Sequence, residues 1–166
     1  MCSEKNHIRV ILADDQLLFV EMLKTMLENS TADIKVIGIC ENGKEVVNLA
    51  LKEKPHVILM DVRMPVMNGI EATRQIKSVE PEIEIMMLTT FDDDIYVSDS
   101  IKYGAAGYVL KNILPEELIE CIRALRKGTV QISPSIAKNL ALKRQNTIPL
   151  KSNEFMQRVD TLSNRE

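Results

Sequence analysis

The sequence lacks the marks of several large protein classes. Its three cysteines, Cys2, Cys40 and Cys121, are odd in number and have no metal-ligand spacing, which argues against a disulfide framework or a zinc site. No apolar run approaches about 18 residues and no signal-peptide core is present, so we expect no membrane span and a reduced, cytoplasmic protein. A glycine-rich phosphate loop is also missing, which argues against a nucleotide-binding protein.

The composition is that of a chain with a packed core. Hydrophobic residues make up 45% of 166 residues, enough for one domain of ordinary size with an appendage. The net charge of -3 hides an asymmetry, since residues 1–127 are acidic and residues 128–166 are basic. The acidic part does not resemble a nucleic-acid binder, whereas the basic tail is compatible with a position near one.

Short apolar runs alternate with amphipathic segments five times along the chain. The spacing predicts strands at residues 8–13, 34–39, 57–60, 83–88 and 107–110, each followed by a helix. Asn42 and Pro115 are typical of helix starts, and Gly104 and Gly128 of helix ends. Strands that are apolar throughout predict a parallel sheet covered by helices on both faces. After Gly128 the pattern changes to a predicted linker, residues 129–161, with a short helix near 134–144.

Polar residues stand where the predicted strands end. Asp14 and Asp15 follow the first strand, Asp61 the third, Thr89 the fourth and Lys111 the fifth. Each one alone is more often a turn, capping or solvated residue, but together they share the edge at which parallel sheets bind ligands. Three neighbouring carboxylates repel one another unless a cation joins them, and Mg²⁺ with a phosphoryl group would suit this set. One carboxylate could then act as nucleophile and form an aspartyl-phosphate.

Four stretches together resemble the receiver domain of two-component response regulators. They are residues 12–15, 61–69, 88–91 and 107–111, and the resemblance covers residues 7–127, so we predict a receiver domain at 7–128. The resemblance implies an α/β, flavodoxin-like, doubly wound sheet of five parallel strands in the order 2-1-3-4-5, with five helices. It also implies phosphorylation by a sensor histidine kinase with Mg²⁺ as cofactor, and a phosphoacceptor rather than an enzyme with a separate substrate.

The resemblance assigns roles to individual residues. Asp61 would be the phosphoacceptor and Lys111 would pair with a phosphoryl oxygen. Asp15 would bind Mg²⁺ directly and Asp14 through water, and Asp61 with the backbone carbonyl of Arg63 would complete the metal ligands.

Two residues belong to a predicted switch, and two others are predicted modulators. Thr89 would hydrogen-bond a phosphoryl oxygen, and the ring of Tyr108 would turn inward when Thr89 moves, although an ordinary strand-end aromatic is an equal alternative. Arg63 and Phe91, each two residues after a site residue, would modulate phosphoryl lifetime or have no effect.

The last residues, Leu162-Ser163-Asn164-Arg165-Glu166, resemble the opening of a LuxR-type (NarL/FixJ-like) helix-turn-helix domain. We interpret residues 162–166 as the start of a missing output domain, so that no DNA-binding residue lies in this chain. Phosphorylation would then switch dimerisation, and thereby DNA binding and transcription.

Two other functions remain open at this point. One is a stand-alone receiver that acts only through protein contacts. The other is an aspartate-nucleophile phosphohydrolase, which would need a second acid two residues after Asp61, where this chain has Arg63.

Overall fold

The computed structural model describes residues 7–90, 96–134, 136–138 and 141. Strands and helices alternate in the order β1 (Ile8–Ala13), α1 (Leu17–Ser30), β2 (Ile34–Cys40), α2 (Gly43–Glu53), β3 (Val57–Asp61), α3 (Gly69–Val79), β4 (Glu84–Thr89), α4 (Val97–Lys102), β5 (Gly107–Leu110), α5 (Pro115–Arg126) and β6 (Gln131–Ile132). All pairs are parallel and the sheet order is β2-β1-β3-β4-β5-β6. The predicted order 2-1-3-4-5 is therefore confirmed.

The sheet is covered on both faces, as its apolar strands predict. Alternate side chains point to opposite faces. Ile11 packs with residues of α2, α3 and α4, whereas Val10 and Leu12 pack with residues of α1 and α5. Nearly all side chains of β1, β3, β4 and β5 are buried, which explains why these strands show no polar alternation in the sequence.

The short strand β6 is an addition to the predicted five. Gln131 and Ile132 pair with Gly107 and Tyr108, which makes β6 the new edge of the sheet beside β5. Two residues cannot show a hydrophobic period, so the pattern after Gly128 gave no sign of this strand. Residues 134, 136–138 and 141 are helical and fall inside the predicted 134–144 segment. Residues 135, 139–140 and 142–161 of the predicted linker lie outside the described residues.

Two asparagines start helices on either side of β3. The side chain of Asn42 accepts a hydrogen bond from the backbone N–H of Glu45 at 3.0 Å, and Asn68 accepts one from Glu71 at 2.9 Å. Such caps satisfy N–H groups that have no partner within the helix. The cap at Asn68 fixes where the loop after Asp61 ends and α3 begins.

The loop between β3 and α3 contains a strained turn at Val66. Val66 has a φ of +67°, and the N–H of Met67 donates to the carbonyl of Pro65 at 2.7 Å, a three-residue γ-turn. A β-branched residue rarely adopts positive φ, and Val66 gains little from burial because its side chain is 81% exposed. Local strain of this kind is typical of functional loops.

Replacing Val66 by glycine is expected to raise the free energy of unfolding by about 1 kcal/mol. Relief of the strained φ outweighs the greater backbone freedom of glycine in the unfolded chain. Urea unfolding measures the change. Val79→Gly is the matched control, since Val79 is an exposed valine at the end of a helix and its replacement should lower stability. Equal losses in both variants would contradict the strain at Val66.

Candidate functional site

Three carboxylates converge at the carboxyl edge of the sheet. Asp14 and Asp15 follow β1, and Asp61 is the last residue of the neighbouring strand β3, whose Met60 lies opposite Ala13. One oxygen from each of the three carboxylates lies within 4.8 Å of the others. Asp14 and Asp61 are buried, whereas Asp15 is exposed to solvent. The predicted trio is therefore one cluster that is open to solvent on the Asp15 side.

The two oxygens of the Asp14 carboxylate have different partners. Its Oδ1 accepts a hydrogen bond from the backbone N–H of Gln16 at 2.9 Å, and its own N–H donates to the carbonyl of Cys40 at 3.0 Å. Its Oδ2 is buried without a hydrogen bond, although the Lys111 ammonium lies 2.7 Å away as an ion-pair partner. This oxygen is directed into the site and retains capacity for a cation.

Lys111 crosses the site from the far side of the sheet. It follows β5, yet its Nζ lies 2.7 Å from the carboxylate of Asp14, which follows β1, and 3.5 Å from that of Asp61 at the end of β3. The ammonium also lies over the ring of Phe19 in α1, at 5.0 Å from the ring centroid. One lysine thus neutralises part of the charge of the carboxylates.

The pKa of Asp61 is raised from 3.8 to about 6. Burial of the carboxyl is the main cause, the negative charge of Asp14 adds to it, and Lys111 with the N–H of Val62 partly offsets both. At neutral pH the group is mostly ionised but at a cost in free energy. A cation bound beside it would relieve that cost.

The donor set of the three aspartates fits a hard divalent cation. Mg²⁺ prefers oxygen ligands and is commonly held by one or two carboxylates together with waters and phosphate. Asp14, Asp15 and Asp61 offer such oxygens within 4.8 Å of one another, and this convergence is the observation that most directly supports a cation here. The role of the Arg63 carbonyl as a further ligand stays a prediction.

The loop after Asp61 is held close to the strand end. The N–H of Gly69 donates to the carbonyl of Val62 at 2.9 Å. A Cβ added at Gly69 would lie closer to the Asp61 carbonyl oxygen than real Cβ atoms approach, and 2.9 Å from the methyl carbon of Met87. Only glycine therefore allows α3 to begin against the backbone of Asp61.

The predicted switch residues lie beside this cluster. Thr89 ends β4, its side chain is buried, and its hydroxyl donates to the carbonyl of Thr90 at 3.0 Å. The carbonyl of Thr89 accepts a hydrogen bond from the N–H of Lys111 at 2.7 Å, which joins the end of β4 to the first residue after β5. Tyr108 is fully buried in the core on the α2, α3 and α4 face, so its ring is inward in this structure.

Of the two predicted modulators, one is visible. The guanidinium of Arg63 lies over the ring of Tyr96, 5.7 Å from its centroid, and thereby joins the Asp61 loop to the residue that precedes α4. Phe91 lies outside the described residues. Phe19 is not among the residues predicted from the sequence, because its contact with Lys111 depends on how α1 packs on the sheet.

Similarity to known proteins assigns this fold to a class. A family model for the response regulator receiver domain matches residues 10–123, and the chain belongs to that family. The chain is therefore a receiver domain of two-component systems. Within the part of the chain that the structure describes, no helix has the length and apolar character needed to cross a membrane.

The relatives narrow the class further. The chain is 44% identical over 146 residues to the uncharacterized transcriptional regulatory protein YxjL of Bacillus subtilis (strain 168), covering 85% of this chain and 66% of that protein. It is 37% identical over 136 residues to the transcriptional regulatory protein DegU of Brevibacillus brevis, covering 82% and 57%. The chain thus spans about 57 to 66% of the length of these curated relatives.

Solved structures agree on the fold. A two-component response regulator of the LuxR family from Aurantimonas sp. SI85-9A1 is 29% identical, with a TM-score of 0.77 over 83% of this chain and 98% of that chain. The isolated receiver domain of RcsB from Salmonella enterica serovar Typhimurium, solved in the presence of the phosphomimetic BeF3-, is 28% identical with a TM-score of 0.71, covering 81% and 99%.

Proposed function

We propose that this receiver takes a phosphoryl group on Asp61 from a sensor histidine kinase in a reaction that needs Mg²⁺. The observation that supports it most is the cluster itself. Oxygens of Asp14, Asp15 and Asp61 lie within 4.8 Å, and the ammonium of Lys111 lies 3.5 Å from Asp61. A catalyst for phosphoryl transfer needs this combination of a nucleophile with positive charge placed around it.

The chemistry follows from the placement of the residues. An oxygen of ionised Asp61 attacks the phosphorus of a phosphohistidine, the P–N bond breaks, and the histidine nitrogen leaves with its electron pair and takes up a proton. Bound Mg²⁺, held by Asp14, Asp15, Asp61 and the carbonyl of Arg63, would supply charge neutralisation. Lys111 pairs with a phosphoryl oxygen, and the Thr89 hydroxyl turns from the Thr90 carbonyl to donate to another.

The output that we propose is a change of dimerisation that controls transcription. A phosphoryl group adds roughly 1.5 to 2 negative charges, and the side chains of Thr89 and Lys111 would move toward its oxygens. The ring of Tyr108 would repack in response and so transmit the movement. Several relatives carry the name transcriptional regulatory protein, which supports a regulator of DNA binding through an output domain. We place the receiver at residues 7–128 of a cytoplasmic regulator and the linker at 129–161, where its first residues add β6 to the receiver's sheet. Residues 162–166 would be the start of an output domain.

The proposal is tested with acetyl phosphate as donor and phosphate-affinity gel electrophoresis as readout. The protein with Mg²⁺ should shift to a slower species, and either EDTA or Asp61→Asn should abolish the shift. Asp99→Asn, an exposed carboxylate on α4, is the control that should shift normally. Borohydride reduction followed by mass spectrometry should find homoserine at position 61. A full shift in Asp61→Asn would overturn the assignment.

Further measurements on the same protein separate the other functions. Continuous release of phosphate from a phosphate ester would indicate a phosphohydrolase instead. An unchanged oligomeric state after phosphorylation would favour a receiver that acts only through protein contacts. Phosphoryl lifetimes in Arg63→Ala and Phe91→Ala test whether these two residues modulate hydrolysis.

A further inference from the structure

We propose that Phe19 is a positioning residue that holds the ammonium of Lys111 at the phosphoacceptor site. This inference rests on the proposed function, because it concerns how Lys111 is kept ready for a phosphoryl oxygen. The observation is the position of Lys111 Nζ over the Phe19 ring, 5.0 Å from its centroid, while the same atom contacts Asp14 and Asp61.

Lys111 needs such support because of its length and its route. A lysine side chain has four rotatable bonds and loses much conformational freedom when its end is fixed. The side chain starts after β5 and ends beside residues of β1 and β3, and only 11% of it is exposed. An aromatic face attracts a cation through its quadrupole, and more strongly where water is excluded. The ring therefore restricts the ammonium to the mouth of the site.

Phe19 differs from the carboxylates in one respect that matters for the reaction. The carboxylates of Asp14 and Asp61 that attract Lys111 also belong to the cluster that fits a metal ion, so a bound cation competes with the ammonium for them. The ring of Phe19 offers no ligand to a hard cation. It remains a partner for the ammonium when the aspartates are engaged elsewhere, and so keeps Lys111 within reach of a phosphoryl oxygen.

The ring of Phe19 is held in place by its packing in α1. It is half-buried and packs against the core on the α1 and α5 face, so its ring has little freedom. It lies in the first turn of α1, which begins two residues after Asp15, and its ring centroid is 5.0 Å from the Lys111 ammonium that contacts Asp14 and Asp61. Helix α1 thus begins shortly after Asp14 and Asp15, the predicted metal ligands, and also carries Phe19, whose ring contacts the ammonium of Lys111.

The affinity for beryllofluoride in the presence of Mg²⁺ tests the proposal, because this anion imitates the phosphoryl group. Phe19→Leu keeps an apolar side chain without the quadrupole and should weaken binding by about 3- to 10-fold. Phe19→Trp should retain the affinity. Met26→Ala, a truncation in the same helix against the same core, controls for loosened packing and should leave the affinity unchanged.

A double-mutant cycle separates positioning from a purely structural role. In a Lys111→Met background, Phe19→Leu should cause no further loss, since the partner of the ring is gone. In NMR spectra of the wild type, the Lys111 side-chain protons should show an upfield ring-current shift that Phe19→Leu removes. Equal affinity in wild type and Phe19→Leu, or losses that add in the cycle, would overturn the role of Phe19. Absence of beryllofluoride binding by the wild type would instead contradict the proposed function.

Discussion

Replacing Gly69 by alanine is expected to lower the free energy of unfolding by roughly 3 kcal/mol or more, and to impair phosphorylation of Asp61 as well. The added methyl group would collide with the carbonyl oxygen of Asp61, which is backbone and cannot move aside like the end of a side chain. Relief of the collision requires α3 to shift or the end of β3 to move. Urea unfolding gives the loss of stability, and acetyl phosphate labelling gives the loss of acceptor function.

The control for this prediction is Gly128→Ala. Gly128 has a φ of +81°, but an added Cβ there meets nothing within 4 Å. That variant should lose about 1 kcal/mol from the left-handed backbone alone, with normal labelling of Asp61. If Gly69→Ala were no more destabilised than Gly128→Ala, the close approach of α3 to Asp61 would be wrong.

Asp61→Asn is expected to raise the free energy of unfolding of the metal-free protein at pH 7.5 by about 3 kcal/mol, while it abolishes phosphorylation. The pKa of Asp61 is about 6 in the folded protein against 3.8 in the unfolded chain. The folded state therefore binds a proton more tightly, and folding becomes less favourable as the pH rises from about 4 to about 6. Asparagine removes this penalty because it carries no charge to bury.

The pH dependence is the specific part of this prediction. The stability difference between Asp61→Asn and the wild type should be full above pH 6, shrink as the pH falls, and vanish below about pH 4. Added Mg²⁺ should stabilise the wild type and narrow the gap, and EDTA should restore it. Asp15→Asn, at the exposed carboxylate, is the comparison variant. If Asp61→Asn were less stable than the wild type at pH 7.5 without metal, the penalty for burying the charge of Asp61 would be refuted.

The fold was largely predictable because its elements are long and their burial is extreme. Five apolar runs separated by amphipathic segments admit few arrangements once the strands must be parallel and covered on both faces. The strand β6 was not predictable on this basis, since a pair of residues carries no period and its pairing with Gly107 and Tyr108 depends on the position of α5. The helix starts at Asn42 and Pro115 were predictable because capping is a local property.

The membership of the site was predictable in the same way, but its geometry was not. Parallel strand ends must meet at one edge, so Asp14, Asp61 and Lys111 could be grouped from their order in the chain. Which carboxylate lies nearer to the ammonium depends on side-chain directions, and the structure places Lys111 at 2.7 Å from Asp14 and 3.5 Å from Asp61. The support from Phe19 depends on how α1 docks on the sheet, which no local pattern reveals.

The short edge strand β6 connects β5 to the segment of the chain that follows the receiver. The N–H of Gln131 donates to the carbonyl of Ala106 at 2.9 Å, and the N–H of Ser133 donates to the carbonyl of Tyr108 at 3.1 Å. The backbone of Tyr108 is thus tethered directly to the segment by which the chain leaves the domain. A displacement of β5 must either drag that segment along or break these bonds. The segment that follows β6 is therefore coupled by hydrogen bonds to Tyr108, the residue whose ring is the predicted switch.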